Sequence, residues 1–242
     1  MITGKVPEKR GKIERVVGDE TPAEGVTRIW ELHESEKRSH PLKDWGQALL
    51  IRFRKVTAGN VSSAEIKARH VSRTYSRDLS HEEEAYRIDL ESGGEKIAWM
   101  RVSARRRDNL LDACIQEIQG VRDAKKPLDE FRKREGDYWN IRMVNNMIAG
   151  AWDAGFDRVC LRDVRTTHSY THPVRGENEI GGSRPLEGAD KEKAQNSMRV
   201  LYDATRDSCG FTGRDGDYWV LDLSTVPGRR LEGLQRMQNM KK

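Results

Sequence analysis

Long apolar runs are missing from this sequence. None approaches the roughly 20 residues a membrane-spanning helix needs, so a helical membrane protein is excluded from the reading. Cysteine is scarce: Cys114, Cys160 and Cys209 are odd in number, widely spaced and set in apolar segments. They read as reduced core thiols of an intracellular protein rather than as a disulfide framework. The stretch Met1-Ile2-Thr3-Gly4-Lys5 lacks the apolar core of a secretory signal, and the expected location is the cytoplasm. No internal repeat or low-complexity tract occurs. Nothing resembles a nucleophile elbow, a phosphate-binding P-loop, a zinc finger or a dinucleotide fingerprint, which removes those site classes.

What is present is polar but foldable: 36% hydrophobic and 34% charged residues in 242, enough for one large domain or one domain with an extension. Lys and Arg number 44 against 39 acidic residues, a net charge of +5. That mild excess permits an anionic partner, a nucleic acid or a phosphate-bearing cofactor, without requiring one. The densest basic cluster, Arg101 with Arg105, Arg106 and Arg107, reads as a solvated strand end and turn.

Along the chain, residues 1–47 read as an N-terminal arm, with a short strand at 26–32 and a turn at Asp44-Trp45-Gly46. Residues 48–56 alternate late, with Ile51 and Phe53 inward, and predict a first core strand. Asn60-Val61-Ser62-Ser63 is a good helix cap, and 60–84 is expected to be mostly helical. A hairpin follows: Tyr86, Ile88 and Leu90 alternate before Ser92-Gly93-Gly94-Glu95, and the return strand carries Ile97 and Val102. Residues 113–121 predict another strand and 122–137 a charged linker. Ile141, Val144, Ile148 and Ala151 then keep the spacing of a helix face, which Gly155 ends. A buried strand over 158–164, a polar insertion over 168–190, a helix over 194–209 closed by Gly210-Phe211, and an aromatic strand over 217–223 complete the order.

The sequence strand, helical region, three strands, helix, strand, helix with Leu201-Tyr202, Gly210-Phe211, strand resembles the GNAT N-acetyltransferase superfamily over residues 48–224, with 225–242 a polar tail. The resemblance implies a mixed α/β fold: a central mixed sheet of six to seven strands flanked by helices. It also implies that the fourth strand splays from the fifth, leaving a gap for the thioester arm of acyl-coenzyme A. A Gly-rich turn before the central helix would bind the pyrophosphate through backbone N–H groups. In this chain that turn corresponds to Lys133-Arg134-Glu135-Gly136-Asp137-Tyr138, with Tyr138 where the family has a second small residue. The implied donor-binding set is Ile118, Gln119 and Val121 on the fourth strand, Arg132, Arg134 and Gly136 in the turn, and Asn196 on the last helix. The implied activity is transfer of an acyl group, acetyl above all, from acetyl-CoA to an amine of unidentified acceptor. Backbone donors of Glu117, Ile118 and Gln119 would polarise the carbonyl, Glu117 or a histidine would act as base, and Tyr202 as acid.

The chain's most polar string, Thr166-Thr167-His168-Ser169-Tyr170-Thr171-His172-Pro173, lies just past the expected fifth strand, where open α/β sheets commonly carry sites. His168 and His172 read as lying in extended chain, with three roles open: substrate contact or catalysis, loop hydrogen bonding, or a shared metal for which no third ligand stands out. No metal is assigned. The alternative from a different class is a non-catalytic nucleic-acid- or protein-binding module using Arg105–Arg107 and the N-terminal arm.

Overall fold

The structure, a computed structural model, describes residues 45–53, 64–71, 84–92, 94–107, 109–121, 124–136, 138–175 and 184–227. In chain order the elements are helix α1 (45–53), then strands β1 (Ala64–Val71), β2 (Glu84–Ser92), β3 (Glu95–Arg107) and β4 (Leu110–Gly120). Helices α2 (Lys125–Glu135) and α3 (Trp139–Asp153) follow, then strand β5 (Arg158–Arg162) and the single-turn helix α4 (His168–Thr171). The short strands β6 (Val174–Arg175) and β7 (Arg184–Pro185), helix α5 (Gly188–Cys209) and strands β8 (Gly213–Asp215) and β9 (Tyr218–Asp222) complete the fold.

Seven strands form one sheet in the order β1-β2-β3-β4-β5-β9-β8, and β6 and β7 pair separately. The first four strands make an antiparallel meander. β5 then adds parallel to β4, the one parallel pairing among the described strands of this sheet. Parallel neighbours need a long crossover, which α2 and α3 supply. This is the central mixed sheet flanked by helices that the resemblance implied.

One sheet face carries Ile88, Met100, Val102, Ile115, Ile118, Val159 and Leu161, all fully buried, in one core with Met143, Val144, Met147 and Ile148 of α3 and Leu49 and Phe53 of α1. Each such side chain contributes about 1.5–3 kcal/mol by leaving water. The helices stop where expected: Gly155 (φ 81°) and Gly210 (φ 77°) take the left-handed conformation that glycine adopts without steric cost.

Four segments differ from expectation. Residues 45–53 are helical, so neither the strand over 48–56 nor the turn at Trp45-Gly46 forms. Trp45, Ala48, Leu49 and Phe53 fall on one buried helix face, and that period outweighs the short alternation. Within 60–84 the described part, Ala64–Val71, is a strand paired with β2; its sequence AEIKARHV alternates apolar with charged residues. The charged linker is largely α2, with Phe131 fully buried and Pro127 in the first turn, where a missing N–H costs nothing. His168–Thr171 is a helical turn rather than extended chain. The strand expected at 26–32 lies outside the described residues.

Candidate functional site

The parallel pairing of β4 with β5 runs only from Asp112–Arg158 to Ile115–Leu161. Beyond it β4 continues through 116–120 with no partner in β5, so the two strands part. At that point the β3–β4 register skips from Val102–Ile115 to Arg101–Glu117, making Gln116 an extra, bulged residue. A bulge bends its strand and re-aims its side chains. Here it sets Glu117 opposite Arg101 and turns Ile118 into the helix-covered core.

Glu117 is 4% exposed. One carboxylate oxygen pairs with Arg101 at 3.2 Å, and the other accepts from Gln119 Nε2 at 3.2 Å and from the hydroxyl of Ser169 on α4. The backbone N–H of Ile118, at the unpaired edge of β4, donates to the Tyr202 hydroxyl of α5 at 2.8 Å. Burial, reinforced by the charge of Glu117, pushes the Tyr202 phenol well above its ordinary range, so it stays protonated. α5 is pinned by two further contacts: Asn140 Nδ2 of α3 donates to Thr205 Oγ1 at 2.7 Å, and Gln195 Nε2 donates to the Tyr170 carbonyl at 2.9 Å. The gap thus gathers a carboxylate, a backbone donor, a neutral phenol and a serine hydroxyl.

His168 adjoins Ser169 but is exposed, its ring stacked on His172 with centroids 4.8 Å apart and planes 21° from parallel. Rings lying face to face do not converge on a common ion. Among the described residues one trio has ligand atoms close enough for a metal, Asp112, Cys114 and Cys160, within 4.8 Å of one another. Asp112, however, already accepts from Arg158 at 2.7 Å and from Arg105 at 2.8 Å. Burial pushes the Cys114 thiol up, against the thiolate a metal requires. This cluster reads as a structural ion-pair row on the sheet. Arg105 there is mostly buried and Arg107 pairs with Asp215 at 2.6 Å, so the expected solvated basic cluster is largely committed to internal pairs.

The remaining expected donor-binding residues divide. Val121 and Arg132 line a cavity of about 250 Å³ with Lys125, Leu128, Asp129, Tyr138 and Trp139, at the N-terminal end of α3. Among the described residues no side chain caps that end, which leaves backbone donors for an anion. Tyr138 is 49% exposed, with the Arg132 guanidinium 4.0 Å above its ring. Gly136 (φ 75°) ends α2, its N–H donating to the Arg132 carbonyl at 2.9 Å. Arg134 instead reaches Ser92 Oγ at 2.9 Å. Asn196 is exposed and accepts from Arg199 at 2.9 Å, one position off the inward stripe of Met198, Tyr202, Thr205 and Cys209. Ile118, Gln119, Glu117 and Tyr202 are therefore brought together, Val121 and Arg132 share the neighbouring cavity, and Arg134 and Asn196 turn elsewhere.

Sequence reasoning missed Ser169, Asn140 and Thr205. Ser169 lies inside the polar string, where nothing in the spacing distinguishes it from the other hydroxyl residues.

No protein-family model matches the chain, and no curated protein matches it. Among solved structures it is similar to a cAMP-binding acyltransferase from Mycobacterium smegmatis, in a mutant form, at 14% identity and a TM-score of 0.30. The match covers 79% of this chain and spans 58% of that protein's length. Among the described residues no helix is long and apolar enough to cross a membrane.

Proposed function

We propose that the chain is an N-acyltransferase that passes an acyl group, acetyl in the simplest case, from acyl-CoA to an amine in the cytoplasm. The observation that carries this reading is the parting of β4 from β5 at the Gln116 bulge, with Glu117, the Ile118 N–H and Tyr202 all directed to one place. The residues present suit such a donor: an unpaired strand edge for the acyl arm, and the uncapped end of α3 beside Lys125 and Arg132 for its phosphates. When bound, the donor supplies an activated thioester carbonyl.

The roles of the chain's own residues follow from their chemistry. Glu117, held by Arg101 and Gln119, takes the proton the amine sheds as its nitrogen bonds the carbonyl carbon. The Ile118 N–H is the donor in reach of a carbonyl oxygen laid along the β4 edge. Tyr202 keeps its proton until the carbon–sulfur bond breaks, gives it to the departing sulfur, and regains one from solvent. Ser169 and Gln119 position Glu117.

The test is amine-dependent release of free coenzyme A thiol from acetyl-CoA across a panel of amines. Glu117→Gln should lower turnover about a hundredfold or more while changing acetyl-CoA affinity by less than about threefold. A variant as active as wild type removes Glu117 from the chemistry.

A further inference from the structure

Resting on the acyl-transfer reading, we infer that Tyr202 is a displaceable plug as well as an acid: its hydroxyl occupies, in the free protein, the Ile118 amide that the acyl carbonyl must take. Three observations lead there. The Ile118 N–H belongs to the part of β4 that β5 leaves unpaired, and a buried amide without a partner costs about 1–3 kcal/mol. Tyr202 satisfies it at 2.8 Å, from a different element some 84 residues along the chain. Tyr202 is itself 4% exposed and belongs to the main core, so its hydroxyl is held at the Ile118 amide out of solvent.

An acyl oxygen and the Tyr202 hydroxyl compete for one hydrogen. Donor entry therefore requires the phenol to withdraw, after which its proton is free for the departing sulfur. The plug and the acid are two positions of the same side chain. The route by which the donor moves it is visible in the packing. Asn140, in the first turn of α3, bonds Thr205, one turn along α5 from Tyr202. The N-terminal end of α3 is also where the donor's phosphates are placed in the proposed function. Phosphate binding there bears directly on the helix that holds the plug.

The consequence is measurable without turnover. Tyr202→Phe keeps the buried ring and removes only the competing hydroxyl. Its affinity for acetyl-CoA should rise about five- to tenfold, the worth of one hydrogen bond no longer displaced. The Ile118 amide of the free variant should exchange with solvent faster than in wild type. Wild-type binding that the folded variant leaves unchanged or weakens overturns the plug and leaves the acyl-transfer reading standing. Absence of acetyl-CoA binding by both forms overturns that reading and the plug with it. If the variant is unfolded, the wild type decides: saturating acetyl-CoA must move the Ile118 amide resonance, and an unmoved resonance in a protein that binds overturns the plug.

Discussion

Tyr202 shows how one residue's surroundings set its chemistry. A phenol at the surface ionises near pH 10, whereas burial beside the Glu117 carboxylate holds this one above its ordinary range. The sign of the linkage follows. Below about pH 10 Tyr202 is neutral in both folded and unfolded chains; above it the unfolded phenol ionises first, so stability present at lower pH is lost as pH rises. The phenolate absorbance titration should show Tyr202 resisting ionisation until the chain unfolds, so that Tyr202→Phe has one resistant tyrosine fewer than the wild type and a flatter alkaline decline. A wild type with no resistant tyrosine contradicts the burial. Tyr202 and Glu117 were singled out through the resemblance, which placed the Leu-Tyr pair of the last helix and the fourth strand at the gap, and the structure sets the Tyr202 hydroxyl on the amide next to Glu117. Arg101 as the partner of Glu117 was not legible in the sequence. That pairing depends on a one-residue bulge at Gln116, and a bulge leaves no mark in apolar alternation. Asn196 is exposed and bonds Arg199, because one step along a helix turns a side chain by about 100°.

At the scale of elements, α3 carries most of the positioning. Its inward face packs on the sheet, its first turn ties α5 through Asn140, and its Gly150 admits α1. A Cβ at Gly150 would stand 2.9 Å from the Phe53 nitrogen and 3.1 Å from its Cα, backbone that cannot rotate away. Gly150→Ala therefore gains helix propensity yet should lose about 1–3 kcal/mol in chemical denaturation through overpacking. A more stable variant would mean that α1 does not sit on α3 as described. α1 also marks where sequence reasoning failed. Residues 48–56 offer too few alternating positions to outweigh the buried face of Trp45, Leu49 and Phe53, whose role is plain only once α3 supplies the opposing surface. The hairpin β2–β3 and the α3 helix with its Gly155 stop were legible because each has a local cause: a Gly-Gly turn and 3.6-residue spacing.

Across the whole molecule the sheet has two unlike faces. The helix-covered face is apolar. The other bears the row Arg105, Asp112, Arg158, aligned in register across three strands, with Cys114 and Cys160 paired in the next row. Hydrogen bonds to Asp112 hold the Arg158 guanidinium above its ordinary range, so this cation keeps its charge. This row ties β4 to β5 at the end where they pair, and the site opens at the end where they part. The proposed occupant of that opening is an acyl-CoA donor. Calorimetric titration of acetyl-CoA into the wild-type chain at low and high salt tests that proposal most directly. Saturable one-to-one binding that weakens as salt rises is the predicted result, because Lys125 and Arg132 at the cavity are within reach of screening ions. Absence of saturable heat at millimolar donor would contradict the account.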